Sequence, residues 1–241
     1  MLSNPGRILF ARVLPLFDNI PTRRLAVVTY ALIAANLVVW VWELGARATR
    51  VDHYAFYPCA VQGPCLGQAR DHLPWPESTV SSMFLHASWL HLLGNMLFLW
   101  IFANNVEDVM GRFRFLVFYF LAGFAAVLAQ TVVTLRFSGL EAASIPTIGA
   151  SGAIAGVLGA YFVLLPHARV VTLLFGFLPV PLSALLFLGA WFVFQLWQGG
   201  FSLTHPDGGG GVAFAAHVGG FVLGMAAVRI FQVRPPLRPR W

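Results

Sequence analysis

Lysine is absent from this chain, and charge of either sign is scarce. All 15 basic residues are arginine, nine residues are acidic, and charged residues make up 10% of the 241. Soluble domains carry about 25%, so this deficit excludes an ordinary solvated globule. The net charge of +6 does not imply a nucleic-acid partner, because the arginines lie between apolar runs rather than on a continuous basic face. Other absences narrow the reading further. The first 24 residues hold Arg7, Arg12, Arg23 and Arg24 among Pro5, Pro15 and Pro21. They lack a compact apolar core followed by a small-residue cleavage site, so no signal peptide is expected and the first span is expected to stay in the chain. No convincing internal repeat is present, which argues against a transporter built from duplicated halves. The histidines and cysteines show no metal-type spacing, so neither metal nor cofactor is expected.

What is present is apolar residue in long uncharged stretches, 59% of the chain in all. That composition marks an integral membrane protein in contact with a lipid bilayer. The charges and prolines divide it into six expected spans. They are residues 25–42, 78–106, a third between Arg114 and Arg136, a fourth from about Ile148 to before Arg169, a fifth at about 182–198, and a sixth from after the glycine run Gly208–Gly211 to before Arg229. Residues 170–178 are too short to cross alone and are expected to form an interfacial loop or helix end. With the N-terminus inside, eleven arginines fall on the inner side. Only Arg47, Arg50, Arg70 and Arg136 fall outside. This asymmetry places both termini in the cytoplasm. The expected organisation is a cytoplasmic or interfacial segment at 1–24, an all-α six-helix membrane domain at 25–230, and a basic tail at 231–241.

Polar residues inside such spans demand a reason, because lipid penalises them. Two clusters and one lone residue stand out: His86 to Asn95 (HASWLHLLGN), Gly149 to Gly152 (GASG), and His217 in AAHVGG. His91 and Asn95 are four apart and share a helix face. Their bland reading is interhelical hydrogen bonding. Their functional reading is a pair of donors for an oxyanion. Ser151 by itself reads as a small packing residue beside Gly149, Gly152, Gly156 and Gly159. In the first turn of a helix, however, it would sit at the positive end of the helix dipole. Gly220-x-x-x-Gly224 permits close approach of the last span to another helix, which would bring His217 to Ser151 as a general base. The topology puts these groups at similar depths on the outer side. The motif is not the soluble G-x-S-x-G elbow, because Ala153 fills the last position.

H-x-x-x-N in the second span, G-x-S-G opening the fourth, and A-H-x-x-G-x-x-x-G in the sixth together resemble the rhomboid family of intramembrane serine proteases. The resemblance covers about residues 25–230 and keeps the family's motif order. Val106-Glu107 followed by Gly111 adds to it. It implies a serine endopeptidase of the cell (inner) membrane, open to the non-cytoplasmic side, that acts on the transmembrane segments of other proteins. By that resemblance Ser151 is the nucleophile and His217 the base. His91, Asn95 and the Ser151 backbone N–H stabilise the oxyanion, and His86 supports the edge of the site. Two positions depart from the family's pattern. Glu77-Ser78 stands where many members have Trp-Arg, and Ala155 stands where an aromatic often packs on the catalytic histidine. Another side chain must then hold the His217 ring.

No third triad member is evident. Asp207 reads as solvated in a glycine-rich loop, so a Ser-His dyad is expected. Phe187, Trp191, Phe192, Phe194 and Trp197 on the fifth span read either as a movable wall for substrate access or as lipid-facing bulk. Cys59 and Cys65 in the first outer loop read either as a disulfide in an oxidising exterior or as two free thiols. A catalytically silent, client-binding member of the family is the competing function.

Overall fold

The computed structural model describes residues 13–204 and 213–240. Asp207 and the glycines 208–211 therefore lie outside the described residues, as do Arg7 and Arg12. The architecture is an α-helical bundle with a small sheet at one end. Among the described residues four helices are long and apolar enough to cross a membrane: α1 (Val27–Gly45), α6 (Arg112–Phe137), α9 (Ala184–Thr204) and α10 (Phe214–Phe231). Between them lie α2 (Ala48–Tyr54), α3 (Trp75–Ser82), α4 (Trp89–Phe98), α5 (Asn104–Met110), α7 (Gly139–Ala143) and α8 (Ser151–Leu164).

Three features depart from the expectation. First, among the described residues four helices rather than six meet the length of a span. α8 has 14 residues, about 21 Å at ~1.5 Å per residue, against a hydrocarbon core of ~30 Å. Second, the uncharged run 78–106 is not one helix. α3 stops at Ser82, residues 83–88 turn, and helix restarts at Trp89 with a π-helical stretch at Leu99–Ala103 before α5. The restart is local chemistry. Ser88 has extended backbone (φ −166°, ψ 161°), and its hydroxyl accepts from the His91 N–H, the arrangement of an N-cap. His86 thus sits in the turn, not on the helix that carries His91 and Asn95. An absence of charge cannot separate a continuous helix from a broken one whose loose backbone is buried in protein.

Third, the protein is not all-α. β1 (Val13–Asp18), β2 (Arg169–Leu174) and β3 (Leu178–Ser183) form an antiparallel sheet in the order β1-β2-β3. The stretch read as an interfacial loop is therefore a hairpin. Its turn has positive φ at both Phe175 (57°) and Gly176 (82°), and the Phe177 N–H donates to the Leu174 carbonyl at 3.2 Å. That is the primed geometry matched to strand twist. Pro179 and Pro181 are tolerated because β3 is an edge, and alternate residues turn their missing N–H to its free side.

At the sheet end of the bundle, carboxylates join the helices. Glu107 accepts from the Val28 N–H (3.1 Å), the Thr29 N–H (2.8 Å) and the Thr29 hydroxyl (2.8 Å), and so caps α1. Asp108 pairs with Arg23 at 2.7 Å. Gly111, with φ 77°, then lets the chain reverse into α6 where a Cβ would be strained. Asp18 accepts from the Tyr161 hydroxyl and from the Asn105 amide, each at 2.7 Å, which ties β1 to α8. Burial pushes the Asp18 carboxyl up to about 6, and those two hydrogen bonds with the Ile20 N–H only partly oppose it. Both flanking segments pack on this end. Asn19 pairs with Arg169, and the Val233 and Arg234 N–H groups donate to the Val109 carbonyl.

At the centre stands α8, of which only Ser151, Phe162 and Val163 escape burial. It is packed backbone to backbone against α10. A Cβ at Gly220 would land on the Gly152 carbonyl oxygen, one at Gly224 on the Gly156 oxygen, and one at Gly159 on the Phe221 oxygen. On the other side Ala122 and Ala126 of α6 occupy the space in front of Gly156 and Gly152. The small-residue faces thus set the depth to which two helices interlock.

Candidate active site

The site is assembled from four helices and one turn. Ser151 is the first residue of α8. It follows Gly149, whose φ of 116° admits the sharp entry into the helix. The Gly149 N–H donates to the Ser82 carbonyl at 2.8 Å, and Phe56 bridges Thr147. The chain around Phe56 and the end of α3 therefore hold the segment that launches the serine. Ser151 lies where unpaired backbone N–H groups and the positive dipole end converge.

His217 lies in the first turn of α10 (Phe214–Phe231) rather than two turns in, because the helix begins later than the glycine run suggests. Its Nε2 is 2.8 Å from Ser151 Oγ. The glycine interlock that seats α10 on α8 makes this approach possible, since both residues lie within one turn of the Gly152–Gly220 contact. The imidazole's other nitrogen, Nδ1, donates to Gln195 Oε1 at 2.7 Å. An amide oxygen can only accept, so Nδ1 carries the proton and Nε2 presents its lone pair to the serine hydroxyl. The Trp191 ring lies 5.8 Å from the imidazole at 36°.

His91 and Asn95 project from α4. The Ala87 N–H donates to His91 Nδ1 at 3.4 Å, which assigns the ring proton to Nε2. That Nε2 faces Gly149: a Cβ there would meet it at 2.6 Å and the Asn95 amide nitrogen at 3.7 Å. Two N–H donors thus converge beside the segment that leads into Ser151. His86 supports them from the turn. Its Nδ1 donates to the Phe84 carbonyl at 3.2 Å, its Nε2 accepts from Asn95 at 3.0 Å, and its ring meets that of His91 edge-on at 5.1 Å. Glu43, at the end of α1, accepts from the His86 N–H at 3.1 Å and so fixes the turn. His86 and Asn95 are buried, whereas His91, Ser151 and His217 keep partial exposure.

Gln195 is the residue that sequence reasoning missed, and the signal was available. It is one of two buried glutamines, with Gln198, in an apolar helix, and polar residues in apolar runs are the feature that singled out His217. The aromatic wall on the fifth span is not one unit. Phe187 is buried against Phe98 and Phe102, Phe192 stacks on Phe221 at 4.5 Å, and Trp191 lies on His217. Trp197 is the member that is more than half exposed. Cys59 and Cys65 are joined in a disulfide in the loop between α2 and α3, and the Ser144 hydroxyl lies 3.7 Å from Cys59 Sγ. Among the described residues no group of three or more His, Cys, Asp or Glu side chains is placed to hold a metal.

Comparisons with known proteins agree with this geometry. A family model described as "Rhomboid domain" matches residues 75–234. Rhomboid protein 1, mitochondrial, of Saccharomyces cerevisiae is 30% identical over 203 residues, covering 81% of this chain and 51% of that protein. Rhomboid-like protein 11, chloroplastic, of Arabidopsis thaliana is 36% identical over 123 residues, covering 51% of the chain and 40% of its own length. The human presenilin-associated rhomboid-like protein, mitochondrial, is 33% identical over 103 residues, covering 41% of the chain and 24% of that protein. The chain spans about half the length of the yeast protein and smaller shares of the other two.

Proposed function

Because the chain belongs to the rhomboid family, we propose that it is an intramembrane serine endopeptidase. It would cut peptide bonds in or near transmembrane segments of other membrane proteins, using Ser151 as nucleophile and His217 as base. The observation that carries this reading is the 2.8 Å separation of Ser151 Oγ and His217 Nε2 in the productive tautomer. His217 takes the Ser151 proton as Oγ attacks the scissile carbonyl, then returns it to the leaving amine. Water repeats the sequence on the acyl-enzyme. The charge on the tetrahedral oxygen falls to the His91 Nε2–H, the Asn95 amide and the Ser151 backbone N–H. No cofactor enters this chemistry.

Residues 25–230 form the protease domain in this reading, with 1–24 and 231–241 as flanking segments. Residues 89–110 and α8 supply two crossings beside the four long helices, and both termini face the cytoplasm. The active site then opens on the non-cytoplasmic face of the cell (inner) membrane. The arginine asymmetry and the placing of Ser151 and His217 at the first turns of their helices support that orientation. A substrate helix must unwind to expose its carbonyl, so segments with glycine, proline or small residues near the outer surface are the expected clients.

The test is cleavage of a tagged single-span substrate in proteoliposomes. Ser151→Ala and His217→Ala are each expected to lower kcat at least about 10³-fold while thermal unfolding in detergent stays unchanged. Product formed at the wild-type rate by Ser151→Ala overturns the assignment.

A further inference from the structure

The dyad explains proton transfer but not what aims the base. An imidazole on one helix has a free χ2 and two tautomers, and only one combination points a lone pair at the serine. α8 offers the ring no aromatic support, since the position four after Ser151 is Ala155. Both of the ring's other contacts come instead from α9. Trp191 and Gln195 are four apart, so they share a helix face. One lies beside the imidazole plane and the other accepts its Nδ1–H at 2.7 Å. Gln195 is 5% exposed, and a buried amide is kept where its hydrogen bonds are used.

We propose that Gln195 is a positioning residue for the reaction. Its Oε1 holds His217 in the Nδ1–H tautomer with Nε2 directed at Ser151, the place an acidic residue takes in a Ser-His-Asp triad. This rests on the protease reading given above. When His217 takes the Ser151 proton, the Nδ1–H···Oε1 bond becomes charge-assisted and strengthens. The amide therefore serves the transition state more than the ground state, without the counter-charge a carboxylate would bring. The orienting group stands on a different helix from either reacting group, so the aim of the base depends on where α9 sits. The environment of the ring is otherwise simple. His91 on α4 is the ionisable side chain acting on it among the described residues. From α6, the neutral Gln130 accepts from the Ala216 N–H at 3.3 Å.

The experiment compares wild type, Gln195→Leu, Gln195→Glu and Ser151→Ala in proteoliposomes, with kcat and KM measured across pH. Gln195→Leu is expected to lower kcat about 10- to 100-fold with KM within twofold. Gln195→Glu is expected to recover most of the rate. A carboxylate at that point favours the imidazolium, so the neutral base forms only at higher pH, and the acidic limb of kcat/KM moves upward by about one unit. This limb stays readable even where Gln195→Leu folds poorly, and a purely structural role would leave it in place. Gln195→Leu at wild-type kcat overturns the proposal, as does an unmoved limb in Gln195→Glu. If either occurs while Ser151→Ala is silent, the positioning role fails and the protease reading stands. If Ser151→Ala still cleaves, both fall.

Discussion

The two sides of His217 are built in opposite ways. Toward α8 and α6 the contacts are glycine and alanine against backbone. The helices touch through carbonyl oxygens and alanine methyls, with Gln130 of α6 accepting from the Ala216 N–H beside them. Toward α9 the contacts are long side chains, an amide and an indole, on a helix whose outward face carries exposed Val193, Leu196 and Trp197. The first side sets where the hydroxyl and the imidazole are. The second sets which way the imidazole points. A backbone interlock has one geometry, and its distances do not drift. A side-chain contact can be made and broken as a helix shifts. The division would suit the proposed protease, which has to keep Ser151 and His217 together while a substrate segment enters.

One substitution, glycine to alanine, probes both sides with a single methyl group. The largest effect is expected at Gly220, where the new Cβ falls on the carbonyl oxygen of Gly152, directly after Ser151. Neither backbone can give, so Gly220→Ala should cost about 3 kcal/mol in stability and abolish cleavage, read by thermal unfolding and by substrate turnover. An intermediate effect is expected at Gly149. There φ is 116° and the added methyl meets His91 Nε2, so Gly149→Ala strains the backbone by about 1–3 kcal/mol and displaces the proposed oxyanion donor. Its kcat should fall about 100-fold with most of the protein still folded. The smallest effect is expected on the α9 side. A Cβ at Gly189 meets only Phe162, at an ordinary 3.7 Å. Gly189→Ala should keep full activity and raise stability by about 0.5–1 kcal/mol, the helix-propensity gain over glycine. A Gly189→Ala variant as damaged as Gly220→Ala would erase the contrast between the two sides.

The chemistry-bearing residues were legible because each is a local oddity in an apolar run: GASG, H-x-x-x-N and AAHVGG need no tertiary knowledge to be noticed. Gln195 is the same kind of oddity, but next to Gln198 and among bulky aromatics it stands out less than His217 does. The broken second span and the hairpin at 169–183 were less legible. Absence of charge reports burial or lipid contact, not backbone course. The alternation in RVVTLL and LPVPLS is weak where both strand faces are apolar. The placing of His86 outside the helix turns on the extended conformation of Ser88, a choice that a turn of neighbouring backbone can reverse.

From its residues alone this chain declares that it belongs in a bilayer and which side chains lipid would not tolerate without cause, because solvation cost is a property of each residue and its immediate neighbours. That Ser151 meets His217, that Gln195 and Trp191 come from a third helix to hold the ring, and that α8 is too short to be a span of the usual kind were decided only in three dimensions. Those outcomes depend on how deeply helices interlock. Packing of that sort is a relation between surfaces far apart in the chain, and no local pattern carries it.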